Sequence, residues 1–274
     1  MQKSIITFIG AGNMTYSLIG GLITDGYSAK YLWATNPGLD ALQNLHTEFG
    51  IHTTQSNQEG ARAADVIVLA VKPSLLKTVA LEIAPIVQKQ QALVLSIAAG
   101  VREKDLRRWL GEKTAIVRCM PNTPALVKSG ATGLCANSNV SPEQKNLAES
   151  VLRAVGITVW LSDEEQLDIV TALSGCGPAY FFRIMEALEK SAEISGLSAE
   201  TAHLLTLQTT LGAARMALES QKTLSELRKQ VTSPGGSTEC ALQVLETSNP
   251  DKLFGEILNA AKKRTAELAE LFGA

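Results

Sequence analysis

The sequence predicts an α/β chain in two parts, and three observations carry that prediction. Short β-rich runs alternate with helical stretches through the first half of the chain. One of those runs, Ile5–Ile9, passes directly into a Gly-x-Gly turn and then into a helical pattern. Beyond Ser162 the alternation stops, and apolar residues recur at helical spacing instead. Together these features predict an N-terminal Rossmann-like dinucleotide-binding domain, residues 1–161, followed by a C-terminal all-α domain, residues 162–274.

The predicted strands are Ser4–Ile9, Tyr31–Ala34, Val66–Ala70, Leu93–Ile97 and Ala115–Arg118, with Gly133–Ala136 and Ile157–Leu161 as later additions. Between them, Thr15–Asp25, Leu39–Glu48, Ser74–Val87 and Lys104–Leu110 have helical character. Strands separated by helices imply right-handed crossovers and a mostly parallel sheet. In the second half, Phe181, Ile184, Met185, Leu188 and Ala192 share one helical stripe; Phe254, Ile257, Leu258, Ala261 and Leu268 share another. The charge changes with the texture, from +4 over residues 1–162 to −6 over 163–274. Wide apolar stripes on a short helical domain suggest a subunit interface, with a plain monomeric bundle as the alternative.

Composition narrows the function. The 274 residues carry 25 basic and 27 acidic side chains, a formal net charge of −2. No excess of positive charge exists to track a phosphate backbone, so a nucleic-acid binder is disfavoured. No uncharged apolar run reaches the roughly 18 residues of a membrane span. The apolar run at the start is too short for a secretory signal and reads as a buried strand. Cys119, Cys135, Cys176 and Cys240 form no CxxC pair, which predicts no metal site and a reducing, cytoplasmic setting.

The sharpest motif is Gly10-Ala11-Gly12-Asn13-Met14 after the first strand. Glycines permit the tight turn and let backbone approach a pyrophosphate, and the helix start offers N–H groups to it. Thr15 stands at the third small position of that fingerprint. At the end of the second strand an Asp or Glu would hold the ribose 2′-hydroxyl of NAD. Here Thr35, Asn36 and Pro37 come first, with no acid until Asp40, so NADPH is favoured and NADH is the second choice. The strand-end loops Ala70-Val71-Lys72-Pro73 and Ala98-Ala99-Gly100 would line the same ligand, Lys72 as a contact rather than a catalyst. Asn122, in a loop stiffened by Pro121 and Pro124, could face a nicotinamide amide or simply form a turn. Cys176, with no histidine near it in sequence, reads as a packing cysteine. Finally Ser233-Pro234-Gly235-Gly236-Ser237-Thr238 places hydroxyls and glycines before a helix over Glu239–Glu246, a nest for a small carboxylate.

With these segments in hand, the chain resembles the pyrroline-5-carboxylate reductases over nearly its whole length. The carriers are FIGAGNM, AVKP, SIAAG, RCMPNTPALVKSGATGL, SGCGPAYFF and VTSPGGSTECAL. The resemblance implies reduction of L-1-pyrroline-5-carboxylate to L-proline by NADPH or NADH, the last step of proline synthesis. It implies dinucleotide contacts at Gly10, Gly12, Asn13, Met14, Asn36, Asn57, Ala70–Pro73 and Ala98–Gly100, and a substrate carboxylate at Ser233, Gly236, Ser237 and Thr238. It further implies homodimers through the C-terminal helices, often assembled into larger rings such as decamers, with the last loop reaching a neighbouring subunit's dinucleotide domain. The family usually carries Ser where Cys176 stands and Ala where Thr15 stands. No Asp, Glu, Lys or His in these motifs is an evident proton donor. The iminium is therefore bound directly, or Thr238 or a water relays the proton. A β-hydroxyacid dehydrogenase, the related alternative, would need a lysine on the first long C-terminal helix. Pro178–Ala187 has Arg183 and no lysine. A dinucleotide sensor without turnover would bind and not consume.

Overall fold

The computed structural model describes residues 4–273. Its frame is an eight-stranded sheet built from β1 (Ile6–Ile9), β2 (Leu32–Thr35), β3 (His52–Thr54), β4 (Val66–Leu69), β5 (Leu93–Ser96), β6 (Ile116–Met120), β7 (Gly130–Ala136) and β8 (Gly156–Trp160). The strand order is β3-β2-β1-β4-β5-β6-β7-β8. The first six strands are parallel, β7 runs antiparallel to β6, and β8 is parallel to β7. The order reverses between β1 and β4, which opens a crevice beyond their carboxyl ends.

Helices α1 (Asn13–Thr24), α2 (Leu39–Phe49), α3 (Asn57–Ala63), α4 (Pro73–Gln90), α5 (Glu103–Leu110) and α6 (Pro142–Arg153) cover both faces. Strand β4 reads Val-Ile-Val-Leu and is wholly buried, the pattern of a strand covered on both sides. Alternate residues separate two cores. Ile6, Phe8, Val66 and Val68 join Leu18, Ile19 and Leu152 on one face, while Ile9, Ile67 and Leu69 join Leu76, Ile83 and Trp109 on the other. The short edge strand β3 is held by Trp33, whose ring stacks on His52 with centroids 4.7 Å apart.

The first compact unit runs to Cys176 and is completed by residues from Ala260 onward. By packing alone, the chain divides at Cys176/Gly177. The reason is α7 (Gln166–Val170) and the wide helical turn that follows it over Thr171–Gly175. Leu167 and Val170 close on Gly133, Met120 lies against Gly175, and buried Asp168 pairs with Arg102 at 2.6 Å.

The second unit, Gly177–Asn259, contains α8 (Gly177–Ile194), α9 (Ala199–Glu219), α10 (Leu224–Gln230), α11 (Ser237–Thr247) and the first residues of α12 (Pro250–Gly273). Pro178 sits in the first turn of α8, where its missing N–H has no helical partner to lose. Helix α8 packs on α9, and His203 meets Glu189 at 2.8 Å. Yet Phe181, Phe182, Ile184, Leu188, Leu204 and Leu211 are all exposed. This unit folds its backbone without covering its apolar stripes. Among the described residues no helix is long and apolar enough to cross a membrane, and no His, Cys, Asp and Glu group could hold a metal ion.

Candidate active site

The glycine turn is shaped as a cradle. Gly10 ends β1 with φ +108°, and a Cβ there would lie 2.4 Å from the Ala70 carbonyl oxygen. Its N–H donates to Thr35 O at 2.9 Å, which ties the turn to the end of β2. Gly12 caps α1 in extended geometry with no side-chain cap, and a Cβ there would meet nothing within 4 Å. The first N–H groups of α1, from Asn13 and Met14 on, therefore face open space at the positive end of a 12-residue helix with no acid in its first turn. These residues fit the pyrophosphate of a dinucleotide. Thr15 is fully buried, and its hydroxyl is satisfied by donating to Gly10 O at 2.6 Å, so the larger side chain braces the turn. A recess of about 520 Å³ beside the turn is lined by Gly12, Asn13, Tyr16 and Glu48 among others. The Tyr16 hydroxyl donates to Glu48, and that hydrogen bond raises its pKa.

At the end of β2, buried Thr35 donates from Oγ1 to Asn57 Oδ1 at 2.7 Å, and Asn57 Nδ2 donates to Glu82 Oε2 at 2.9 Å. Asn36 Nδ2 donates to Gly38 O at 3.2 Å, and Gln55 Nε2 to Pro37 O at 2.6 Å. Asn57 thus stands beside the strand end, and Glu82 joins it from α4. Ala70–Pro73 leads from β4 into α4, with exposed Lys72 as an N-cap lacking a side-chain bond and Pro73 opening the helix. Ala98–Gly100 follows β5; Ala98 and Gly100 are buried and Ala99 is half-buried.

Asn122 is buried, and both arms of its amide are engaged. Nδ2 donates to Ser174 O at 3.0 Å, and Oδ1 accepts from Ala131 N at 2.8 Å. These bonds join the Pro121–Pro124 loop to β7 and to the segment before Cys176, and leave one N–H and one lone pair of the amide unused by them. Cys176 itself closes the turn through its N–H on Thr171 O at 2.8 Å. Cys119 is buried in the core, where burial pushes its thiol far up and leaves it inert.

In the second unit, the loop after α10 turns at Gly235, φ +68°. Gly236 N donates to Ser233 O at 3.0 Å, and Gly235 N donates to Glu239 Oε2 at 2.8 Å. The glycine N–H groups are thus used inside the loop, which corrects the picture of a nest built from them. The open donors start at Ser237, because Gly236 caps the 11-residue α11 with no side-chain bond. Ser233, Ser237 and Thr238 expose their hydroxyls beside that helix start. The Gly235–Glu239 pair lies at helical spacing and was legible in principle; the Asn57–Glu82 pair spans 25 positions and was not.

An open, mostly parallel sheet, a glycine turn feeding an uncapped helix and a separate helical unit define a nicotinamide-dinucleotide oxidoreductase. Residues 5–100 match the family model described as NADP oxidoreductase coenzyme F420-dependent, and residues 164–268 match pyrroline-5-carboxylate reductase dimerisation. The chain is 50% identical over 273 residues to a pyrroline-5-carboxylate reductase of Pseudomonas aeruginosa, covering 100% of both chains. It is 39% identical to that of Escherichia coli, covering 98% of this chain and 100% of the other. Among solved structures, the Coxiella burnetii pyrroline-5-carboxylate reductase superposes with a TM-score of 0.94 at 52% identity, over 97% of this chain and 98% of that one. The Plasmodium falciparum pyrroline carboxylate reductase with NADP bound gives 0.86 at 31% identity, over 98% and 99%. This chain belongs to the pyrroline-5-carboxylate reductase family.

Proposed function

We propose that this protein reduces L-1-pyrroline-5-carboxylate to L-proline with NADPH, and accepts NADH less well. The observation that carries the reading is the uncapped start of α1 behind Gly10, where a Cβ on Gly12 would meet nothing within 4 Å. Gly10, Gly12, Asn13 and Met14 hold the pyrophosphate, Asn36 and Asn57 meet the adenosine ribose, and Ala70–Pro73 and Ala98–Gly100 line the remainder of the crevice. Asn122 acts by fixing its loop. When bound, the reduced nicotinamide supplies the hydride.

The substrate's carboxylate is held by the open N–H groups of Ser237 and Thr238 and by the hydroxyls of Ser233, Ser237 and Thr238. Gly235 and Gly236 shape that loop, and a carboxylate at a helix start is favoured by the helix's own dipole. Holding the ring acid by one end fixes the position of its C=N carbon, replacing a chance encounter with a set geometry. The product nitrogen needs one proton. It is present already in the iminium, or it arrives through the Thr238 hydroxyl or a water. The loop is supplied by a partner copy in a homodimer formed by the C-terminal helices, and such dimers assemble further into rings. The four cysteines, all free, suit a reducing cytoplasm.

The test is consumption of NADPH on adding pyrroline-5-carboxylate to the purified chain, with initial rates compared for NADPH and NADH. Binding of dinucleotide without consumption would replace this reading with that of a sensor.

A further inference from the structure

The acid that the end of β2 lacks is delivered from another helix. Glu82 stands in α4 and reaches the Asn57 amide at 2.9 Å, while the other arm of that amide accepts from Thr35 at 2.7 Å. Thr35 in turn receives the N–H of Gly10 on its backbone carbonyl. One chain of hydrogen bonds therefore links Glu82 to the glycine turn. A carboxylate can only accept, so Glu82 fixes which way the amide faces: Nδ2 toward itself and Oδ1 toward the buried Thr35 hydroxyl. Glu59 accepts from Thr54, Arg62 donates to Gln58 at 3.2 Å, and Asp40 lies in the first turn of α2.

We propose that Glu82 is a specificity-determining residue, placing a negative charge at the ribose end of the dinucleotide site and so holding down the preference for NADPH over NADH. The inference rests on the proposed dinucleotide site. A carboxylate favours a ribose 2′-hydroxyl, to which it can serve as acceptor, and repels a 2′-phosphate. Asn57, oriented by Glu82, keeps one N–H and one lone pair for a ligand. The Asn and Thr side chains at the strand end then act with an acid beside them, and not as a purely neutral cradle.

The experiment is equilibrium titration of the full chain with NADP⁺ and with NAD⁺ by calorimetry, in the parent, Glu82→Gln and Glu82→Lys. Glutamine keeps an acceptor for Asn57 and removes only the charge. Glu82→Gln should bind NADP⁺ about 3- to 10-fold more tightly, with NAD⁺ affinity held within about 2-fold, and Glu82→Lys should widen the ratio further. Initial rates should follow as a lower KM for NADPH with little change in kcat. A Kd ratio that stays constant across the three proteins overturns the inference. So does a parallel weakening of both nucleotides, which would make Glu82 a strut between α3 and α4. Failure of both nucleotides to bind the parent would sink the dinucleotide site itself, a distinguishable result.

Discussion

Gly10 and Thr15 show how little freedom single residues have at this turn. Alanine at position 10 would need both a left-handed backbone and space already filled by the Ala70 carbonyl. Gly10→Ala should cost about 1–3 kcal/mol of stability and abolish dinucleotide binding, read by denaturant unfolding and calorimetry. Thr15→Val keeps the volume and loses the 2.6 Å bond to Gly10 O, so about 1 kcal/mol should go while the fold persists. At the other end of the chemistry, Thr238→Ala should lower kcat/KM for pyrroline-5-carboxylate and leave the dinucleotide Kd as it was. Unchanged kcat and KM would remove Thr238 from the mechanism.

Elements differ in how far local sequence specifies them. β1, β4 and β5 are short apolar runs, the first followed by Gly10 and the second by Ala70, and the run alone places each within a residue or two. β3 carries no such signal, because His52–Thr54 is a three-residue edge docked through Trp33 and the β2 ladder. α3 is seven residues with Gly60 inside it, too short for a period. α6 did announce itself through the Ser141–Gln144 capping box with Pro142 between, a signal that strand alternation obscured. The antiparallel setting of β7 depends on its neighbours and has no local trace. So too for the Arg102–Asp168 pair, which draws α7 onto the first unit. Both partners are largely buried, so Asp168→Ala should destabilise the first unit by about 3 kcal/mol, and Arg102→Met with Asp168→Leu should recover much of that in a thermal melt. Between α6 and β8, Glu149 accepts from Trp160 Nε1 at 3.1 Å, which holds its carboxyl below the ordinary 4.5. A lowered native pKa gives stability that is full above the unfolded value and is lost as pH falls through the native one. Glu149→Gln should therefore flatten the fall in stability below about pH 4.5 in acid titrations followed by circular dichroism.

Taken whole, the molecule has one unit with a double core and one with exposed apolar stripes, and the second is the part that needs company. Placing aspartate at Ile184 or Leu188 on α8 should shift sedimentation from dimer to monomer and remove the concentration dependence of the melting temperature. Parent protein that sediments as a monomer at all concentrations would contradict the proposed assembly. The chain's return has a consequence of its own. Leu268 and Phe272 of α12 lie against Gly100, and Arg108 donates to Gly273 O, so a wall of the first unit comes from α12, far along the chain from the sheet it covers. During synthesis that flank of the sheet stays bare until the residues from Ala260 onward have been made. A nascent chain halted before residue 260 should thus be markedly more sensitive to protease at the β5–α5 loop than the finished protein.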